Sequence, residues 1–203
     1  CVLKFCKNIL ARPSWTRYTN HMHKYANPNQ FLRIANPLLP WLSGLTVLCM
    51  GMGLYLGLFA SPKDYQQGET VRIMYIHVPS AWMAMFVYGS MAMAGATALI
   101  WRHPLGHMIA KASAPIGASF TMICLLTGSL WGKPMWGTLW VWDARLTSVL
   151  ILFFLYIGYI ALVNAFDDSA RGQRTASVLV LVGAVNLPII KFSVNWWFTL
   201  HQP

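Results

Sequence analysis

Charged side chains are absent between Arg33 and Lys63, and within that gap Leu38 to Ala60 is apolar enough to cross a membrane as a helix. A hydrocarbon core of roughly 30 Å needs about twenty such residues. Uncharged stretches recur over residues 73–100, 112–130 and 146–166. A shorter one over 175–190 is followed by Lys191, Trp196 and Trp197, residues suited to a membrane interface, so the fifth span is drawn over 175–193. None alternates with a period of two, which excludes barrel strands and predicts α-helices. The expectation is all-α: a polytopic membrane helix bundle of about five spans (38–60, 73–100, 112–130, 146–166 and 175–193) with an outer segment over 131–145.

Composition agrees. Charged residues make up 10% of the chain, against about 25% in an ordinary soluble domain, so a water-facing surface could not be built from them. The net charge of +10 would suggest nucleic acid in a soluble protein, but its placement argues otherwise. Ten Lys and Arg fall on one side of the spans: Lys4, Lys7, Arg12, Arg17, Lys24, Arg33, Arg102, Lys111, Arg171 and Arg174. Five fall on the other: Lys63, Arg72, Lys133, Arg145 and Lys191. The basic excess is a topology signal that puts the N-terminus in the cytoplasm and the 131–145 segment outside. No nucleic-acid partner is expected. Residues 1–37 read as a mobile basic cytoplasmic tail, favoured over a mitochondrial presequence, and 38–203 as the membrane domain.

Cys49 and Cys124 fall inside spans and Cys1 and Cys6 in the tail, so no outer pair is available for a disulfide. There is no C-x-x-C-H and no C-x-x-C. No span carries a mid-depth carboxylate, lysine or arginine, which argues against ion-coupled transport and paired-carboxylate hydrolysis. The chain is expected not to be an enzyme.

Of six histidines, His21 and His23 lie in the tail, and His103 and His107 in an inner loop where solvent or lipid headgroups are the default surroundings. His77 sits near the outer end of the second span, two residues before Pro79, and His201 lies just beyond the fifth span. Topology alone brings these two to a similar depth on one face. Between the third and fourth spans, Trp131, Trp136, Trp140 and Trp142 fall within twelve positions. Trp136 and Trp140 would share a face if this portion is helical. An interfacial belt scatters its tryptophans over several helix ends, whereas here they concentrate in one segment. A flat indole surface edged by Lys133 and Arg145, with Arg72 a third outer cation, suits a planar apolar ligand carrying peripheral carboxylates. Haem is such a ligand, with histidine available to its iron. Asp143 is either a helix N-cap or an orienting and partner-contacting group. Met74, Met83, Met85, Met91, Met93 and Met135 read as flexible packing rather than iron ligands.

The run Trp-Gly-Lys-Pro-Met-Trp-Gly-Thr-Leu-Trp-Val-Trp-Asp resembles the tryptophan-rich signature of haem-handling proteins in cytochrome c biogenesis. Tyr-Ile-His-Val-Pro, Asn-Trp-Trp-Phe-Thr-Leu-His-Gln and Ser-Pro-Lys-Asp-Tyr-Gln-Gln-Gly extend the resemblance from about Pro40 to His201. Taken together, they make the chain similar to the haem exporter C family of the cytochrome c maturation system. The resemblance implies one non-covalent, transient haem b held at the outer face by two axial histidines, falling on His77 and His201. The signature positions are Trp131, Trp136, Trp140, Trp142 and Asp143. It further implies delivery to a membrane-anchored haem chaperone. Its other implied partners are an ABC ATPase, that ATPase's membrane subunit and a small single-span subunit. A bacterial inner membrane is the expected location, and the topology rule reads alike for a mitochondrial one. The family has six spans, so a sixth is expected to be missing after Pro203. The leading alternative, a membrane cytochrome b passing electrons, would place paired histidines at mid-depth within spans. A haem-free transporter would use the tryptophans only as an interface belt.

Overall fold

The structure, a computed structural model, describes residues 28–197 and residue 200; His201, like the first 27 residues, lies outside the described residues. Helix α1 spans Pro28–Tyr55 and continues as a π-helical turn, Leu56–Ala60. Then follow α2 (Val71–Ile100), α3 (Pro104–Trp136), α4 (Ala144–Asn164), α5 (Ser169–Gly183) and α6 (Asn186–Trp196). Five helical stretches are long and apolar enough to cross a membrane: Gln30–Ala60, Val71–Ile100, Leu105–Trp136, Ala144–Asn164 and Ser169–Trp196. The protein is an all-α, multi-pass membrane bundle.

Several boundaries differ from the sequence expectation, among them the start of the third span, expected at 112 and found at Pro104, and that of the fifth, expected at 175 and found at Ser169. The first helix begins at Pro28, ahead of the apolar stretch, and the third runs on through Lys133 to Trp136. Charged side chains at a span's end can reach the interface along their own stems, so a helix need not stop where its charge-free stretch does. The fifth span is not one helix but two. Pro188 lacks the N–H that a continuous helix would donate to the Ala184 carbonyl, and the chain turns at Ala184–Val185. Across this break the Asn186 side-chain amide donates to the Ser148 carbonyl at 2.8 Å, tying α6 to α4.

Lipid tails are as apolar as leucine, so helices in a bilayer are held together chiefly by close packing, which favours small residues. The seam between α2 and α3 is built this way: Ala84 and Ala94 on α2 and Ala110, Ala114 and Ala118 on α3 are all buried. Against it lies a tyrosine layer. The rings of Tyr88 and Tyr156 meet edge to face at 5.1 Å, and the Tyr156 hydroxyl donates to the Ala84 carbonyl at 2.7 Å. Helix α1 stands apart, exposing apolar residues such as Trp41, Leu48 and Phe59, and touches α2 where Gly57 packs on Tyr75. Its surface has the character that hydrocarbon covers.

Candidate functional site

At one end of the bundle, between the helices, lies a cavity of about 460 Å³, within the range of small-molecule sites. Helix α2 contributes Met74, His77 and Trp82, and α3 contributes Cys124, Gly128, Trp131, Met135 and Trp136. Trp140 and Arg145 close one side, Ile190 and Lys191 of α6 another, and Gln66 and Gln67 reach in from the loop between α1 and α2. No aspartate or glutamate lines it among the described residues.

His77 reaches across to α3, where its Nδ1 lies 3.0 Å from the Cys124 carbonyl oxygen. A carbonyl only accepts, so this contact assigns the proton to Nδ1 and leaves the lone pair of the neutral ring on Nε2. That is the tautomer a metal-binding histidine uses when its other nitrogen is held by the protein.

The tryptophans form two edge-to-face pairs, Trp131 with Trp136 at 5.2 Å and Trp140 with Trp142 at 5.5 Å. The condition for Trp136 and Trp140 to share a helical face is not met, because the helix ends between them. Gly137, at φ +78, ends α3 between them with its N–H bonded to the Lys133 carbonyl. Trp131, Trp136 and Trp140 line the cavity, whereas Trp142 is 75% exposed and stands outside its wall. Asp143 is 8% exposed and is the N-cap of α4, its Oδ1 accepting from the Leu146 N–H at 2.7 Å. Of the three outer cations weighed as carboxylate partners, only Arg145 lines the cavity. Lys133 is exposed, and Arg72 pairs with Glu69 at 3.1 Å. The Nε atoms of Arg145 and Trp140 (Nε1) are buried without a hydrogen-bond partner among the described residues. A buried donor in that state costs free energy unless something accepts from it, so two donors await an acceptor here. Lys191 lies over the Trp82 ring at 5.2 Å from its centroid.

Sequence reading missed four contributors: Gln67, Trp82, Thr127 and Gly128. Gln67 accepts from the Trp131 indole N–H at 3.0 Å, fixing the first tryptophan from outside its own segment. The loop that carries it is braced internally. Asp64 Oδ1 accepts from the N–H groups of Gln66 and Gln67 at 2.9 and 2.7 Å, and Lys63 pairs with Glu69 at 2.9 Å. His107, expected among solvent or headgroups, is instead half-buried, with Nδ1 3.3 Å from the Ser177 hydroxyl on α5.

The hydrogen bond from Lys63, assisted by the charge of Arg72, holds the Glu69 carboxyl below its ordinary pKa. A lowered folded pKa makes the bracing fully present above about pH 4.3, the unperturbed glutamate value, and lost as pH falls through the folded value. The protection of amides across residues 64–69, taken as the intrinsic exchange rate at each pH divided by the observed one, should therefore fall on acidification below that point, and in Glu69→Gln it should be low at every pH. Protection in the parent chain that stays constant through that pH range would refute the bracing.

The family model described as heme exporter protein C matches residues 21–203. A heme exporter protein C of Bradyrhizobium diazoefficiens is 62% identical over 178 residues, covering 88% of this chain and 67% of the relative. That of Escherichia coli (strain K12) is 52% identical over 181 residues, covering 89% and 74%. A ccmC-like mitochondrial protein of Marchantia polymorpha is 51% identical over 162 residues, covering 80% and 68%. With a matched family model over most of its length and relatives of this identity, the chain belongs to the heme exporter protein C family.

Proposed function

We propose that this protein binds one haem b non-covalently at the outer face of a bacterial inner membrane and delivers it to a haem chaperone for c-type cytochrome assembly. The observation that carries the reading is the cavity itself: a histidine with its lone pair on Nε2, four lining indoles of which Trp131, Trp136 and Trp140 belong to the tryptophan-rich segment, cations at its edge and no carboxylate among the described residues. Each feature answers one part of haem. His77 would supply an axial nitrogen, Trp131, Trp136 and Trp140 flat apolar surface, and Arg145 and Lys191 the counter-charges for the propionates. His201 would supply the opposite axial nitrogen, and Trp142, exposed beside the cavity, would meet the chaperone. An ABC ATPase with its membrane subunit, and a small single-span subunit, complete the proposed assembly. Membership of the family supports this reading, as does the place of the cavity at the end of the bundle that the charge placement assigns to the outside; the mitochondrial relative makes the equivalent inner membrane of that organelle the second location.

An electron-carrying cytochrome b is less well supported. Among the described histidines only His77 borders the cavity, while His103 and His107 stand at the opposite ends of their helices, leaving no chain of sites through the bilayer.

The test is the absorption spectrum of detergent-purified protein, oxidised and reduced. The parent chain should show a six-coordinate low-spin haem, and His77→Ala and His201→Ala should each lose it or turn high-spin, with c-type cytochrome assembly falling in parallel. Unchanged spectra and assembly in both variants would refute the ligand assignment.

A further inference from the structure

We infer that Thr127 and Gly128 are positioning residues for His77, forming on α3 a socket that sets both the direction and the donor strength of its imidazole. The inference rests on the reading of His77 as an iron ligand.

His77 and its socket are 47 to 51 residues apart in sequence and meet only because α2 and α3 pack closely. Besides the Cys124 carbonyl, Nδ1 lies 3.2 Å from the Thr127 hydroxyl oxygen. The Thr127 hydroxyl directs its own proton to the Ile123 carbonyl at 2.6 Å, so towards His77 it presents a lone pair. The Nδ1–H is thereby shared between two acceptors, a carbonyl and a hydroxyl. Below them the ring lies against the bare backbone of Gly128. A Cβ at that position would stand 2.8 Å from Cε1, closer than carbon tolerates, and a tight 3.3 Å from Nδ1. Any side chain at 128 must push the imidazole off its line.

Acceptors on Nδ1–H increase the electron density that Nε2 can donate, which strengthens the bond to a metal and favours the ferric over the ferrous state. A carboxylate in the same place would do this most strongly. Two neutral acceptors give a ligand of intermediate strength, which suits a site that must hold its cargo and then let it go. Thr127 supplies part of that strength, and Gly128 fixes where the nitrogen points.

The experiment uses the full chain in detergent, loaded with haemin, comparing Thr127→Val, Thr127→Ser and Gly128→Ala with the parent and with His77→Ala. Thr127→Val should raise the haem midpoint potential and speed haem loss to an acceptor protein by about tenfold, the lower end of what outer partners of metal-bound histidines control. Thr127→Ser should restore both. Gly128→Ala should turn the spectrum towards high spin. In haem-free protein, the imidazole Nδ1–H proton resonance should move upfield in Thr127→Val and return in Thr127→Ser, a change that loss of packing alone would not produce. If Thr127→Val matches the parent in potential, haem loss and resonance while His77→Ala has lost the low-spin spectrum, the socket inference is wrong and the ligand reading stands. If His77→Ala keeps the parental spectrum, the ligand reading fails and the inference falls with it.

Discussion

Gly117→Ala is expected to destabilise the bundle by about 1–3 kcal/mol, the range for forcing extra carbon into a packed interior, and to weaken haem retention with it. A Cβ on Gly117 would overlap the ring carbon Cζ and the hydroxyl of Tyr156. Tyr156 has nowhere to go. It is fully buried, its ring abuts Tyr88 and its hydroxyl is bonded to the Ala84 carbonyl, so displacement strands a phenol where no water can reach it. Ala84 also lines the cavity floor, which carries the disturbance to the site. Unfolding of the purified protein in mixed detergent micelles measures the first effect, and haem content the second. Because the clash is with one side chain, Gly117→Ala combined with Tyr156→Leu should cost less than the two single changes summed. A single variant as stable as the parent, or strict additivity, would show that α3 and α4 do not meet as described.

Four of the five spans were legible because lipid imposes a simple rule on sequence, about twenty residues without charge, and they obey it; the fifth, uncharged only over 175–190, was legible from the interfacial Lys191, Trp196 and Trp197 that follow. Their ends were less so. Arg33 and Lys133 lie inside helices that extend past the hydrocarbon, and a criterion that stops at charge stops short of them. Pro188 was a visible signal for the broken fifth span, with Asn186 beside it to anchor the second half. Within the site, His77 and three of the four signature tryptophans come together at one cavity. Asp143 is buried as the cap that its place before α4 allowed, and Gly137 accounts for the separation of Trp136 from Trp140. What sequence could not reveal were contacts between distant segments. Gln67 meets Trp131 from 64 residues away, and Thr127 meets His77 from 50, with no periodicity linking either pair. Lys191 was visible only as a charge closing a span, since its approach to the cavity depends on how α6 turns after the break.

Arg145→Gln should lower haem retention by about ten- to a hundredfold, while Lys191→Gln should lower it far less. The guanidinium enters the cavity with a buried Nε that has no acceptor among the described residues, whereas the Lys191 ammonium is exposed above an indole. Hydrogen bonds to charged groups contribute about 1.5–3 kcal/mol, which sets the first expectation. Exposed ion pairs contribute about 0–1 kcal/mol, which sets the second. Lys133→Gln, outside the cavity, should change nothing. Haem dimethyl ester, whose propionates carry no charge, makes the cause separable from general damage. The parent chain should retain haem better than the ester, and Arg145→Gln should retain both equally poorly. Arg145→Lys should recover only part of the preference, because an ammonium cannot reproduce the two-pronged geometry of the guanidinium. A parent chain that holds the ester as firmly as haem would mean that the propionates point away from Arg145, towards solvent or a partner, and that the indoles and His77 alone orient the ring.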